Sequence, residues 1–263
     1  MVLAIETSTE IGSIALVQGE AVLAEAHHAG GPELSGWLLP AIERLLGDCR
    51  LMRADAVACG IGPGAFTGVR TACATAQALA WGWSVPLHAG CSLEAFLLTH
   101  FALSFADAKP PTMGRWAVLM DARQNETYAA VWEVSDRSPE VACPCPGVEA
   151  EQSGTGALRQ VVPPVLVADR ALAAWLAEHR VVQVLGSACP KLGALEQPLA
   201  PAIELEAVLR HAARGVARLA QRAGTEVDPL ALEPLYVRDR VALTEAERAA
   251  ARAASAGAAA GVA

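Results

Sequence analysis

The sequence predicts an α/β protein made of two similar halves. An apolar run at residues 2–5 ends at Glu6, a polar turn follows, and residues 12–17 form a second apolar run. The same order returns about 115 residues later, where residues 116–120 end at Asp121 and residues 127–134 follow after another polar turn. A chain of 263 residues is also long enough for two domains of about 130 residues each.

Short apolar runs alternate with helical patterns through the rest of the first half. The predicted strands lie at residues 2–5, 12–17, 21–26, 56–60 and 85–89. Helices are predicted at residues 34–46 and 67–81, the first from apolar side chains at helical spacing and the second from a run of small residues. Pro40 lies inside the first helix, and we expect it to kink or interrupt that helix.

The second half has a weaker pattern. Residues 105–114 have the Pro and Gly content of a linker, and residues 136–164 predict an irregular surface region. The elements predicted beyond that region are strands at 165–168 and 181–185 and helices at 170–179 and 205–222. Residues 244–247 have the spacing of a helix-capping box, and we expect the tail after them to fray.

These elements divide the chain into an N-terminal lobe at 1–106, a C-terminal lobe at 107–232 and a partly helical, partly frayed extension at 233–263. Two duplicated halves of the βββαβα type are typical of the two-lobed actin-like architecture, the ASKHA or ribonuclease H-like fold. In that fold the turns that follow the first strand of each half face each other across a cleft. Their N–H groups and carboxylates can hold phosphates and a hydrated cation.

The composition excludes several classes of protein. Apolar residues make up 53% of the chain and charged residues 18%, which excludes disorder over most of its length. The net charge of -8 excludes nucleic-acid binding through bulk charge, so that any RNA contact must be local or shared with a partner. The opening residues lack a basic secretory segment, and the seven scattered cysteines fit reduced thiols, so we expect a cytoplasmic protein. The uncharged stretch at 71–93 predicts a buried helix and strand rather than a membrane span.

Residues 62–70, Gly-Pro-Gly-Ala-Phe-Thr-Gly-Val-Arg, form the most informative run. Its three glycines lie between a predicted strand and a predicted helix, which would place free N–H groups at a helix N-terminus, where anions bind. The run has neither the lysine of the Walker pattern nor the glycine spacing of the dinucleotide-binding fingerprint. The run is therefore weak evidence for a phosphate site and better evidence for a tight turn that packs a helix closely on a strand.

A vestigial phosphate site in the cleft is one hypothesis for these turns. Its candidate residues are Glu6, Thr7, Ser8, Thr9, Gly62, Gly64, Thr67, Gly68, Asp121 and Arg123. Kinases of this fold use an acidic residue and a Gly-Thr pair in the first turn, whereas no glycine follows Glu6 here until Gly12. The alternative is a hairpin turn without a ligand. Asp121 and Arg123 are placed either to contact a ligand or to pair with each other.

Two helical faces are candidate interaction surfaces. The helix at 67–81 carries small residues at a spacing of four, namely Gly68, Ala72, Ala76 and Ala80. Such a face can pack closely against a partner helix or against the core. The helix at 205–222 carries a stripe of arginines, namely Arg210, Arg214, Arg218 and Arg222. This stripe predicts contact with RNA phosphates or, alternatively, a solvated face balanced by Glu204 and Glu206. The histidines have no metal-ligand spacing, so we expect no metal site and no catalytic residues of a metalloprotease.

Several segments of the chain resemble the bacterial TsaB (YeaZ) family. They are residues 3–9, 38–42, 62–70, 76–80, 121–123 and 234–238. The order and spacing match along residues 1 to about 130, and the match is thin from 136 to 230. The Gly-Pro-Gly-Ala-Phe-Thr-Gly run is the specific part of this resemblance.

The resemblance implies a non-catalytic scaffold in the synthesis of threonylcarbamoyladenosine (t6A) beside the tRNA anticodon. It implies that this chain docks on the catalytic paralogue TsaD, is joined by the ATPase TsaE and reaches tRNA through the complex. An exposed apolar docking surface would pair with a second copy when the partner is absent, so we expect a homodimer of the chain alone. ATP and Mg would be used by the partners, and this chain would need no cofactor. Docking in the family uses the two helices of the first lobe, which implies contacts at Leu34, Trp37, Leu38, Ala41, Leu45, Gly68, Ala72, Ala76 and Ala80.

The chain also departs from the family pattern. Leu34 stands before Ser35 where members often have histidine, the histidine pair of TsaD-like members is missing, and the nucleotide-side glycine pair is at best Gly186-Ser187. These departures disfavour independent catalysis and leave weak nucleotide binding open. Two alternatives are an ATPase or phosphotransferase that acts through Glu6, Asp121 and the turn at 62–68, and a glycoprotease-like metallopeptidase.

Overall fold

Two β-sheets, each packed against helices, make up the described part of the chain. The structure is a computed structural model that describes residues 1–30, 33–106, 112–135, 157–192, 205–222 and 225–238. The predicted capping box at 244–247 and the predicted frayed tail lie outside these residues. Within the described ranges, no helix is long and apolar enough to cross a lipid bilayer.

The first sheet has six strands in the order β10-β5-β4-β1-β2-β3. They are β1 (Val2–Glu6), β2 (Ile11–Gln18), β3 (Ala21–Ala29), β4 (Ala56–Gly60), β5 (Leu87–Gly90) and β10 (Glu226–Val227). β1 pairs antiparallel with β2 and parallel with β4, so that the central strand has one partner of each kind. The strands predicted in the first half are all present.

The second sheet repeats the pairing of the first. It has the order β8-β7-β6-β9, with β6 (Gly114–Arg123), β7 (Glu126–Ser135), β8 (Ala157–Ala168) and β9 (Val181–Leu185). β6 pairs antiparallel with β7 and parallel with β9, as β1 does with β2 and β4. The duplicated halves predicted from the sequence are therefore confirmed.

Helices cover both faces of the first sheet. On one face, α1 (Leu34–Asp48) and α2 (Phe66–Trp83) bury apolar side chains against β1, β2 and β4. On the other face, α3 (Ser92–Ala106) and α6 (Ala212–Leu219) pack against small side chains such as Ala4 and Ala15. α1 runs through Pro40 without a break, because Gly36 and Pro40 face solvent and water can bond the carbonyl that the proline leaves free.

The helix α3 lies between the two sheets and joins them. Its side chains Phe96, Leu97 and Phe101 pack with Trp116 and Trp132 of the second sheet, while Ala95 and Leu98 face the first. The helix α4 (Leu172–Glu178) packs against the outer face of the second sheet, whereas α5 (Leu205–Arg210) packs against β2, β3 and α3. The sequence pattern does not predict α3, since a helix that is apolar on all sides has no helical periodicity to detect.

Three predictions for the second half are corrected. Residues 157–164, assigned to an irregular region, begin the strand β8, whose Pro163 and Pro164 lie where its pairing with β7 shifts register. The helix predicted at 205–222 is two helices separated at His211. α6 and β10, assigned to the C-terminal lobe, pack on the first sheet, where a Cβ at Gly215 would lie 1.9 Å from the Ala95 carbonyl oxygen.

Candidate functional site

A cleft lies where the turn after β1 meets the turn after β6, as the duplicated fold predicts. Its volume is about 580 Å³. Half of the predicted cleft residues line it, namely Ser8, Thr9, Gly64, Asp121 and Arg123. The other half, Glu6, Thr7, Gly62, Thr67 and Gly68, do not line it.

Glu6 is enclosed in the core instead of facing the cleft. Its side chain is 0% exposed, and Oε1 accepts a hydrogen bond of 2.7 Å from the Ser8 amide. Burial raises the pKa of this carboxyl, although hydrogen bonds from Ser8 and Ser92 oppose the shift. A carboxylate in this position is not available to a hydrated cation in the cleft.

The glycines of the 62–70 run let a helix approach a turn closely. A Cβ at Gly68 would lie 1.9 Å from the Thr7 carbonyl oxygen, and a Cβ at Gly64 would lie 2.3 Å from that of Ser8. The Thr7 hydroxyl donates to the Gly68 carbonyl at 2.7 Å, and the Ala65 amide donates to the Ser8 carbonyl at 2.7 Å. The turn after β1 therefore occupies the space at this helix end, and close packing explains the glycines better than phosphate does.

The turn after β6 is held by its own hydrogen bonds. The Arg123 amide donates to Asp121 Oδ1 at 2.9 Å, and the Asp121 amide donates to Ser187 Oγ at 3.0 Å. Gly186 has a φ of +137°, and a Cβ there would lie 1.9 Å from the Leu119 carbonyl oxygen. The Gly186-Ser187 pair thus supports the turn from the neighbouring strand.

A C-terminal segment, residues 234–238, forms a further wall of the cleft. The Leu235 amide donates at 2.7 Å to the carbonyl of Ile61, the residue that follows strand β4 of the first sheet. Arg238 donates to the Ala122 carbonyl at 3.0 Å and to Glu126 Oε2 at 2.6 Å, in the second sheet. This position of residues 234–238 could not be predicted, because an irregular segment has no periodicity that reports its long-range contacts.

Most of the predicted docking residues lie on the buried side of α1 and α2 and not on their exposed side. Eight of them are buried under α1 and α2 against the first sheet, namely Leu34, Leu38, Ala41, Leu45, Gly68, Ala72, Ala76 and Ala80. The ninth, Trp37, is half-buried, and its ring stacks on His28 with the ring centres 5.6 Å apart. Helical periodicity identified the apolar face of each helix, but that face belongs to the core.

The outer face of α1 and α2 exposes a different set of residues. Leu39 on α1 is 54% exposed and Trp81 on α2 is 64% exposed. Ala74 and Ala78 are also exposed on α2, between Arg70 and Trp81. We call these four residues, Leu39, Ala74, Ala78 and Trp81, the outer face. Exposed apolar side chains are typical of a protein contact surface where they form a contiguous patch.

The predicted arginine stripe is paired with carboxylates. Arg210 pairs with Glu206, Arg214 with Glu25, Arg218 with Glu20 and Arg222 with Glu94. Three of these carboxylates belong to the first half of the chain, so the stripe fastens the C-terminal helices to the first sheet. RNA contact at these arginines gains no support from this arrangement. The predicted balancing residue Glu204 lies outside the described residues.

A metal site finds no support in the geometry. Among the described residues, no three His, Cys, Asp or Glu side chains cluster closely enough to hold a metal ion. The metalloprotease alternative therefore has no candidate centre in this part of the chain.

Comparison with known proteins finds a family model and curated relatives that match about half of the chain. The family model described as TsaD, tRNA N6-adenosine threonylcarbamoyltransferase, matches residues 27–143. The tRNA threonylcarbamoyladenosine biosynthesis protein TsaB of Bacillus subtilis is 31% identical over 136 residues, which are 50% of this chain and 55% of that protein. TsaB of Haemophilus influenzae is 36% identical over 133 residues, 48% of this chain and 51% of that protein. The chain thus spans about half the length of the curated relatives that it matches.

Solved structures extend the likeness of fold to nearly the whole chain. YeaZ from Pseudomonas aeruginosa matches with a TM-score of 0.66 at 24% identity, covering 89% of this chain and 98% of that chain. A second structure, of an uncharacterised protein similar to peptidase YeaZ from Pseudomonas aeruginosa, has a TM-score of 0.64 at 24% identity and covers 90% of this chain and 99% of that chain. The two-sheet α/β fold is therefore shared with these proteins.

Proposed function

We propose that this chain, which is similar over about half of its length to TsaB proteins, acts in t6A modification of tRNA as a non-catalytic subunit. It binds and activates a TsaD-like catalytic paralogue together with a TsaE-like ATPase. ATP and Mg are used by those partners in the cytoplasm, and tRNA is reached through the complex.

The closure of the first turn is the observation that carries the non-catalytic role. An ATPase of this fold needs a carboxylate and free amides at that turn to hold a cation and phosphates. Here Glu6 is enclosed and the helix end behind Gly64 and Gly68 is filled by the backbone of Thr7 and Ser8. The residues that the alternative phosphotransferase would use do not meet in one open site.

The outer face supports the docking part of the proposal. The resemblance to the family implies docking through the two helices that are α1 and α2 here. Leu39 and Trp81 are the large apolar side chains that these helices expose away from the cleft, with the small Ala74 and Ala78 beside them. Small residues allow a partner helix to approach closely, and in the absence of a partner the same face would pair with a second copy.

The test is reconstitution of threonylcarbamoyl transfer to tRNA. The assay mixes the synthesis proteins TsaC, TsaD and TsaE with ATP, threonine, bicarbonate and tRNA, once with this chain and once without it. In parallel, ATP hydrolysis by the chain alone is measured. The proposal expects transfer that depends on the chain and no hydrolysis by the chain alone. Transfer that is indifferent to the chain, or turnover of ATP by the isolated protein, contradicts it and favours the phosphotransferase.

A further inference from the structure

The residues 229–238 cross from the first sheet to the second beside the cleft, and we call them the strap. The strap begins on α2, where Gln77 Nε2 donates to the Pro229 carbonyl at 2.7 Å and to the Leu232 carbonyl at 3.2 Å. Asp228 caps this start by accepting from the Leu230 amide at 2.9 Å. The strap is therefore fixed at its beginning by α2.

The middle of the strap follows the edge of the cleft on the side of the first sheet. The Leu235 amide donates to the Ile61 carbonyl, directly after β4. The Tyr236 hydroxyl accepts from Arg70 Nε at 2.9 Å, and the Arg70 guanidinium lies 3.7 Å from the centre of the Phe66 ring. These contacts hold the strap against the N-terminal end of α2.

The end of the strap contacts the second sheet. The Arg238 side chain, 13% exposed, donates to the Ala122 carbonyl and to Glu126 Oε2. Ala122 lies near the end of β6, just before the turn, and Glu126 begins β7. One short segment thus binds the turn regions of both sheets at the cleft that they form.

From these contacts we propose that the strap is an intramolecular latch, in which Arg238 fixes the turn after β6 relative to the first sheet and so sets the width of the cleft. The apolar cluster around α3 already joins the two sheets. The latch therefore controls the cleft locally and does not hold the halves of the molecule together. This inference does not depend on the proposed partners, since it concerns the isolated chain.

Amide hydrogen exchange of the full chain tests the latch. Arg238→Ala removes both hydrogen bonds, and we expect amides at 119–126 and at 232–238 to exchange about tenfold faster or more, as follows from the loss of a charge-assisted bond. The matched control is Arg159→Ala, which breaks a 2.5 Å pair with Glu133 inside the second sheet and away from the strap. The control should leave both segments unchanged.

Two results would overturn the latch. One is unchanged exchange at 119–126 in a folded Arg238→Ala protein, and the other is an equal increase in Arg159→Ala. If Arg238→Ala does not fold, Glu126→Gln takes its place, because it weakens the same contact and keeps the shape of the side chain. Faster exchange at both segments in Glu126→Gln then supports the latch, and unchanged exchange rejects it.

Discussion

Gly60 at the end of β4 lies directly against the Glu6 carboxylate at the end of β1. A Cβ added to Gly60 would lie 1.8 Å from Glu6 Oε2 and 2.7 Å from Ser92 Oγ. Two neighbouring parallel strands therefore end with a glycine that makes room for a buried acid. This relationship explains why the acid that ends the first strand is enclosed here and does not reach the cleft.

Gly60→Ala should destabilise the protein through this contact. The Glu6 side chain is held by the Ser8 amide and has no open space to enter, so we expect a loss of about 1–3 kcal/mol or more in the free energy of unfolding. Chemical denaturation measures the change. Gly47→Ala is the control, because Gly47 is in α1 with nothing within 4 Å of an added Cβ, and alanine there should raise stability slightly. Equal effects of the two substitutions would contradict the account.

Glu6→Gln should stabilise the protein increasingly as the pH rises. Burial raises the pKa of Glu6 in the folded state, so the folded protein holds a proton there at pH values at which the unfolded chain has lost it. The stability that Glu6 contributes to the wild-type protein is fully present below about pH 4.5, which is the ordinary pKa of this carboxyl. This contribution declines as the pH rises through the folded-state pKa of Glu6. Glutamine does not titrate, so the stability of Glu6→Gln relative to the wild type should increase over that pH range.

Melting temperatures of the Glu6→Gln variant between pH 4 and pH 8 measure this gain. The control is Glu43→Gln on the exposed side of α1. A difference between Glu6→Gln and wild type that stays constant with pH would show that Glu6 is not buried as described.

Arg214→Ala should cost more stability than Arg210→Ala. Arg214 makes two hydrogen bonds with the Glu25 carboxylate, at 2.8 and 2.5 Å, and links α6 to β3. Arg210, which is more exposed, pairs with Glu206 one turn away on its own helix and contacts β3 through a hydrogen bond to His27 Nε2. We expect a loss of about 1–3 kcal/mol for Arg214→Ala and about 0.5 kcal/mol for Arg210→Ala. Denaturation in low and high salt measures both. Equal losses of stability in the two variants would favour the alternative that the arginines form a solvated face.

The duplicated architecture could be predicted because it depends on local patterns. Each half opens with an apolar run, a carboxylate, a polar turn and a second apolar run, and this order alone specifies the hairpins β1–β2 and β6–β7. The parallel partners β4 and β9 follow because each comes after a helix.

The position of the surfaces could not be predicted in the same way. Small residues on one side of α2 fit a core and a partner helix equally well, and only the sheet beneath them decides for the core. The partners of Arg214, Arg218 and Arg222 lie more than a hundred residues away along the chain, and so do the second-sheet contacts of Arg238. Contacts between residues so far apart along the chain leave no periodic signal in the sequence.

The most direct test of the central claim compares the outer face with the cleft in one assay. Threonylcarbamoyl transfer by TsaC, TsaD and TsaE is measured with Ala78→Arg on the outer face, with Arg123→Ala in the cleft and with Ala174→Arg on the exposed side of α4 as a control for an added arginine. Ala78 is exposed on a helix, so arginine there should leave the fold intact and block a close partner. The account predicts loss of transfer with Ala78→Arg alone. Full transfer with Ala78→Arg together with loss in Arg123→Ala would contradict it and place the function in the cleft.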